Sequence, residues 1–252
     1  MTAKIIIGAT EDETRMGLVE NGRLMEYLVE RAEENHLVGS IFKGRVCNVV
    51  RGIQAAFIDI GLEQNAFLYL GDKMDVTEGQ SILVQISKDA RGTKGPTATR
   101  EVTLPGKYVV LLPYASYIGV SRKITDKVER ERLVKACEAA KPEGVGIVIR
   151  TAATGVSEEL LAADIAELVA AWRVLVAREK LAKAPALLRR ELDLAIRIAR
   201  DYLRLDLTEI MIDDLAIYKR VEELMKNSMV YSAYFFPVCR VRRLLPIAFA
   251  EK

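Results

Sequence analysis

The segment Ile86-Ser-Lys-Asp-Ala-Arg-Gly-Thr-Lys-Gly-Pro-Thr97 places Lys88, Arg91 and Lys94 within seven positions, beside two glycines that permit close backbone approach. Cations so spaced suit a phosphodiester backbone, because lysine and arginine displace the counterions condensed on it. The same loop also reads as a solvated turn that carries a few basic side chains. Phe57 and Phe67 lie ten apart, in Ala55-Ala-Phe-Ile-Asp-Ile-Gly61 and Asn65-Ala-Phe-Leu68. An exposed ring stacks on an unpaired base for about 1–3 kcal/mol. A buried ring fills a core, and on residue type alone the core is the commoner fate of phenylalanine. A third candidate is Arg150-Thr151, at the end of an apolar run and before the small residues 152–155. Arginine offers a planar fork and threonine a short hydroxyl, a pair able to hold a dianionic phosphate. An arginine at a strand end is otherwise an ordinary surface residue.

Other chemistries have less to work with. His36 is the sole histidine, which excludes any mechanism needing two imidazoles. Cys47, Cys137 and Cys239 are far apart and lack CxxC spacing, against both a disulfide framework and a zinc site. Metal chemistry would need carboxylates, and Asp213-Asp214 after Ile210-Met-Ile212 is the visible pair. Adjacent residues on a strand point to opposite faces, which suits a shared ion poorly. With 37 basic and 35 acidic side chains the net charge is +2, so any attraction to nucleic acid must come from local clusters. Half the residues are hydrophobic, enough for a sizeable globular core. No run of about 18 apolar residues is present and the N-terminus lacks the plan of a signal peptide. A cytoplasmic protein without a membrane segment is expected.

These residues need elements to hold them. Ile5, Ile6 and Ile7 form a buried-type run, and strands over 15–19 and 24–29 flank Asn21-Gly22, a hairpin turn in which both residues tolerate positive φ. Residues 38–100 hold short strands at 40–49, 55–60, 66–70 and 81–86 between glycine-containing turns. That density suggests a small five-stranded antiparallel barrel of the OB type. The pattern then changes to strands at 107–112 and 146–150 around a charged helix at 126–140. Ser157 is a helix cap with Glu158 and Glu159 in the first turn, and Leu161, Ile165, Leu168, Trp172 and Leu175 recur along one face. A break at Ala184-Pro185 precedes a second helix over 187–202, then a strand at 210–212 and a helix over 217–226. The stretch 227–252, with Tyr231, Tyr234, Phe235 and Phe236 before Arg240, Arg242 and Arg243, shows no clear period.

Ile41-Phe-Lys-Gly-Arg-Val46, Gln54-Ala-Ala-Phe-Ile-Asp-Ile-Gly61 and Ala66-Phe-Leu68 resemble the RNA-binding barrel of the RNase E/G family of bacterial endoribonucleases. Gly92-Thr-Lys-Gly95, Ser121-Arg-Lys-Ile124, Gly146-Ile-Val-Ile-Arg-Thr151 and Asp201-Tyr-Leu-Arg204 continue that resemblance in the family's order. It implies an α+β, multidomain chain: a split RNase H-like domain (1–37 and 196–226), an inserted OB-fold barrel (38–100), a 5′-sensor domain (101–195) and a divergent tail (227–252). The split explains the N-terminal hairpin, which has too little core of its own and must pair with strands downstream. By the same resemblance Phe57, Phe67 and Lys94, with Lys43, contact single-stranded RNA. Arg150 and Thr151 grip its 5′-monophosphate, helped by backbone at Gly106 and Val110 and by the charge of Arg122.

The chain also departs from the family. The resemblance implies magnesium held by aspartates for cleavage and zinc at a link between protomers, yet neither a catalytic aspartate run nor a zinc-link cysteine pair is found here. Asp213-Asp214 falls where the family has an ordinary strand ending. The elements of the family's homo-oligomer are missing too, so oligomeric state stays open. The resemblance stops near Lys226-Asn227, as expected of a truncated or frame-disrupted member with an unrelated tail, or of a fragment whose remainder lies elsewhere. Three readings therefore stand: an RNA-binding protein for RNA processing and decay without a catalytic centre, an intact magnesium-dependent endoribonuclease, and a non-enzymatic RNA-binding adaptor.

Overall fold

The computed structural model describes residues 3–31, 36–71, 75–191, 194, 197, 207–230 and 240–243. In chain order its strands begin with β1 (Ala3–Ala9), β2 (Glu13–Glu20), β3 (Arg23–Arg31), β4 (Ile41–Val50), β5 (Ala55–Asp59), β6 (Ala66–Tyr69), β7 (Ser81–Lys88) and β8 (Thr97–Thr99). Then come β9 (Leu104–Pro105), β10 (Val109–Leu112), β11 (Ile118–Val120), helix α1 (Lys127–Ala140), β12 (Gly146–Ile149) and helix α2 (Glu158–Leu181). The last are β13 (Ala186–Arg189), β14 (Leu207–Ile212), helix α3 (Leu215–Val230) and β15 (Arg240–Arg243). The chain divides into two compact units, Met1–Asn35 with Leu192–Lys252, and His36–Glu191.

In the first unit the sheet order is β15-β14-β1-β2-β3. Asn21 and Gly22, with φ of 50° and 79°, close the β2–β3 hairpin in the left-handed conformation that such a turn requires. β1 then pairs in parallel with β14, setting Ile5 against Ile210 and Ile7 against Ile212. The N-terminal hairpin thus takes its third partner from the far end of the chain. Ile5, Ile7, Met16, Leu18, Ile210 and Ile212 share a core with Val221 of α3. The three isoleucines are not a wholly buried run: Ile6 points to the other face and is exposed, because the pleat alternates. The arginine-rich segment that showed no period forms β15, parallel to β14, with Arg242 Nε 3.0 Å from Glu209.

In the second unit five strands close in the order β4-β5-β6-β8-β7, with β7 returning to β4. Only the β6–β8 pairing is parallel, an arrangement consistent with an OB-fold. Phe42, Val46, Ala56, Ile58, Ala66, Leu68, Val84, Ile86 and Ala98 fill the barrel. Gly44 lets β4 cross β5 closely, since a Cβ there would lie 2.3 Å from Ile58 Cγ2. The second sheet, β11-β12-β10-β9, packs Val109, Leu111, Ile147 and Ile149 against Leu133 of α1 and Leu161, Ile165, Leu168 and Leu175 of α2. Asp126 and Ser157 cap the two helices by accepting from Val128 N and Leu160 N. Trp172, the remaining member of the expected face, packs edge-on against Tyr114 with centroids 5.5 Å apart.

The start of the second helix expected over 187–202 is corrected: Leu187 and Arg189 belong to β13, an antiparallel strand added to β4 of the barrel. Pairing with β4, far back in sequence, overrides the local helical pattern. Of the rest of that segment only residues 194 and 197 are described beyond 191, and 201–204, 231–239 and 244–252 lie outside the described residues.

Candidate nucleic-acid interface

Alternation decides which side chains leave the barrel. Ala56 and Ile58 of β5 and Ala66 and Leu68 of β6 point inward, so Phe57 and Phe67 point out. They are directly opposite in the ladder, half-buried, with ring centroids 6.0 Å apart and planes inclined at 72°. An edge-to-face pair of this kind holds both rings while leaving part of each accessible. Tyr69, two residues on and exposed, donates its hydroxyl to Gln54 Oε1 at 3.1 Å. Lys94 lies in a tight hairpin where Arg91 and Lys94 exchange both backbone hydrogen bonds at 3.0 Å. Gly95 makes its placement possible, because a Cβ there would come within 2.1 Å of Asn65 O. Pro96 O then accepts from Phe67 N at 2.8 Å, two residues after exposed Lys94, which ties that hairpin to β6.

Lys43 is not part of that group. It is paired with Leu83 and Ala186, and its ammonium meets Glu179 O at 2.7 Å and Glu179 Oε1 at 3.1 Å. With Arg45 Nη2, which donates to Ala184 O at 2.7 Å, it ties the barrel to the end of α2 and the segment that follows.

The second cluster forms at one end of the four-stranded sheet. The register sets Val109 and Val120 on either side of Ile149, so the chain entering β10 and the chains leaving β11 and β12 meet there. Arg150 donates from Nη1 to Gly106 O at 2.6 Å, and its own N–H goes to Tyr108 O at 2.8 Å. Thr151 Oγ1 lies 3.0 Å from Ser121 Oγ, and exposed Arg122 is the next residue. Val110 sits one rung further in, opposite Pro105 and Val148. The N–H of Gly106 is taken by Val109 O at 2.8 Å, so it is the Gly106 carbonyl that faces Arg150. Burial pushes the Lys107 ammonium below its ordinary range, against the opposing pull of Asp164. Burial also raises the Tyr108 hydroxyl to about 12, with the Asp164 charge adding to it. This end of the sheet therefore gathers a guanidinium and two hydroxyls beside a glycine-bearing turn, side chains able to donate to an anion.

Sequence reasoning missed Ser121, Arg130 and Asp164. Arg130 Nη1 donates to Ser121 O and Ile124 O, each at 2.9 Å, pinning the turn that carries Ser121. Asp164 accepts from Lys107 N, Tyr108 N and Val109 N at 3.1, 2.8 and 3.0 Å. The signal was available for Asp164 alone: an acid on an apolar helix face, three after Leu161 and four before Leu168, needs internal partners.

Asp213 and Asp214 follow β14 instead of lying on it. Asp213 Oδ1 accepts from Ala9 N at 2.9 Å, and Asp214 Oδ1 accepts from Ile217 N at 2.8 Å in the first turn of α3. One oxygen of each carboxylate is thus engaged by a backbone N–H, and among the described residues no group of three or more His, Cys, Asp or Glu side chains is placed to hold a metal ion. Cys47 is exposed on β4 and Cys137 is buried in α1. Among the described residues, no helix is long and apolar enough to cross a membrane.

The model of the ribonuclease E/G family matches residues 103–236, just over half of the chain. That match extends beyond residue 226. Ribonuclease G of Escherichia coli strain K12 is 39% identical over 244 residues, covering 88% of this chain and 50% of that protein. Ribonuclease G of Haemophilus influenzae is 36% identical over 247 residues, covering 90% of this chain and 50% of that protein. Ribonuclease E of a Nostoc species is 36% identical over 241 residues, covering 90% of this chain and 34% of that protein. The chain spans about half the length, or less, of these curated relatives.

Proposed function

This chain belongs to the ribonuclease E/G family, and from that premise we propose that it binds single-stranded RNA and reads a 5′-monophosphate at the RNA's end. The observation that carries the reading is Phe57 set opposite Phe67 on the outer face of a closed five-stranded barrel. In this reading two bases stack on the rings, Lys94 neutralises the backbone phosphate between them, and Arg150 and Thr151 clasp the terminal phosphate, the Gly106 carbonyl orienting the guanidinium. Arg122 adds long-range charge. Lys43, held by Glu179, acts by fixing the barrel to α2. The barrel is then an OB-type RNA-binding domain, residues 101–195 a 5′-sensor, and the sheet of the first unit the frame of a split RNase H-like domain. RNA processing and decay in the cytoplasm are the setting that fits.

A competition titration of one oligonucleotide, single-stranded and annealed to its complement, tests the barrel reading at fixed salt. Stacking needs unpaired bases, so the single strand is expected to bind at least tenfold tighter, the return from roughly one to two stacked bases. Equal affinity would leave only charge attraction and remove the stacking face.

The ribonuclease names of the relatives favour a second reading, in which this chain itself cleaves RNA. The backbone bonds of Asp213 and Asp214 favour binding without cleavage. In-line attack needs carboxylates that hold magnesium and position water. The purified chain is expected to leave 5′-monophosphorylated RNA intact in magnesium. Cleavage that survives re-purification and disappears in Asp213→Asn would instead make Asp213-Asp214 a catalytic site.

A further inference from the structure

We propose that Asp164 is a positioning residue for the phosphate clasp, acting through the 106–109 turn without touching the RNA. The inference rests on the reading of Arg150 and Thr151 as that clasp. Asp164 stands on α2, half-buried, and its two oxygens accept three consecutive N–H groups: Lys107 N at 3.1 Å, Tyr108 N at 2.8 Å and Val109 N at 3.0 Å. Three charge-assisted bonds from one carboxylate to one turn leave that turn little freedom. Gly106 sits so tightly against it that a Cβ would lie 2.8 Å from both Asp164 oxygens and 2.8 Å from Leu168 Cδ1. The carbonyl of that glycine receives Arg150 Nη1 at 2.6 Å. The chain of contacts thus runs from a helix-borne carboxylate, through a clamped turn, to the guanidinium of Arg150. Arg130 does the corresponding work on the facing wall, holding the Ser121 turn by two carbonyls.

A carboxylate so near an anion site is an electrostatic liability, which is what makes the role testable. Were Asp164 only a neighbouring charge, its neutralisation would strengthen phosphate binding. Were it a structural group with no link to the site, the two kinds of RNA end would be affected alike. A positioning residue predicts a third pattern, in which discrimination falls while binding through the barrel persists.

The experiment measures, for the full chain at fixed salt, affinity for one single-stranded RNA with a 5′-monophosphate and with a 5′-hydroxyl. The wild type is expected to favour the monophosphate by roughly ten- to a hundredfold, the size of a charge-assisted contact. Asp164→Asn removes acceptor capacity and charge, and is expected to bring the ratio to within about twofold of unity with hydroxyl-end affinity unchanged. Asp164→Glu keeps the charge and displaces the acceptor oxygens from the turn, and is expected to produce the same loss. Thermal melting establishes that each variant is folded, and Asp164→Glu carries the test if Asp164→Asn is not. A folded Asp164→Asn with the wild-type ratio, or a higher one, overturns the proposal and leaves the clasp standing. A wild type that binds both ends equally overturns the clasp, and this proposal with it.

Discussion

Replacing Phe57 or Phe67 by alanine is expected to weaken single-stranded RNA binding by about 1–3 kcal/mol each, with the protein still folded. The outward direction of both side chains separates this from a core truncation. Ala56, Ile58, Ala66 and Leu68 fill the barrel from the opposite face of the same strands, so removing either ring opens no cavity among them. The two rings touch edge to face at 6.0 Å, so each change also loosens its neighbour. The double variant should therefore lose less than the sum of the two single losses, as contacting residues generally do. Affinity titrations and thermal melts on the three variants check this. Loss of cooperative unfolding with unchanged affinity per folded molecule would make the rings structural.

The second large effect is expected at Arg150. Arg150→Gln removes the charge and the fork but keeps an amide donor able to reach Gly106 O, so the turn need not collapse. The 5′-monophosphate should lose about 1.5–3 kcal/mol of binding while a 5′-hydroxyl RNA is nearly unaffected. Both RNAs must be titrated at one salt concentration, because every phosphate contact is salt-dependent. An equal loss for both ends would mean that Arg150 supports the fold and not the phosphate.

Much of this was legible residue by residue, and the failures share a cause. Asn21-Gly22 announced its hairpin because the turn chemistry is local. Ser157 announced its helix start for the same reason. The direction of Phe57 was weakly marked, since in Ala55-Ala-Phe-Ile-Asp only Asp59, on the face of Phe57, tells one side from the other. Only the register with Phe67 and Thr97 settles it. β13 was read as helix because Ala-Leu-Leu-Arg carries no local mark of a strand. What makes it one is β4, more than a hundred residues earlier. Lys43 looked available for RNA for the same reason, its partner Glu179 being 136 positions away. β9 and β11, two and three residues long, are too short for any pattern. Yet they bring Gly106 and Ser121 to Arg150 and Thr151. The chemistry of Arg150-Thr151 was visible as residue types, while the groups that orient it come from four separate stretches of chain.

The most direct test of the account is a binding titration of the wild-type chain with three single-stranded RNAs that differ only in a 5′-hydroxyl, monophosphate or triphosphate. At fixed salt the monophosphate should bind tightest relative to its charge, about 1.5–3 kcal/mol better than the hydroxyl. The triphosphate should gain less than its extra charge suggests, because the proposed clasp offers a single guanidinium fork at Arg150 with the Thr151 hydroxyl, enough to hold one phosphate. Equal affinity for the hydroxyl and monophosphate ends, or affinity that simply rises with the number of phosphates, would contradict the account.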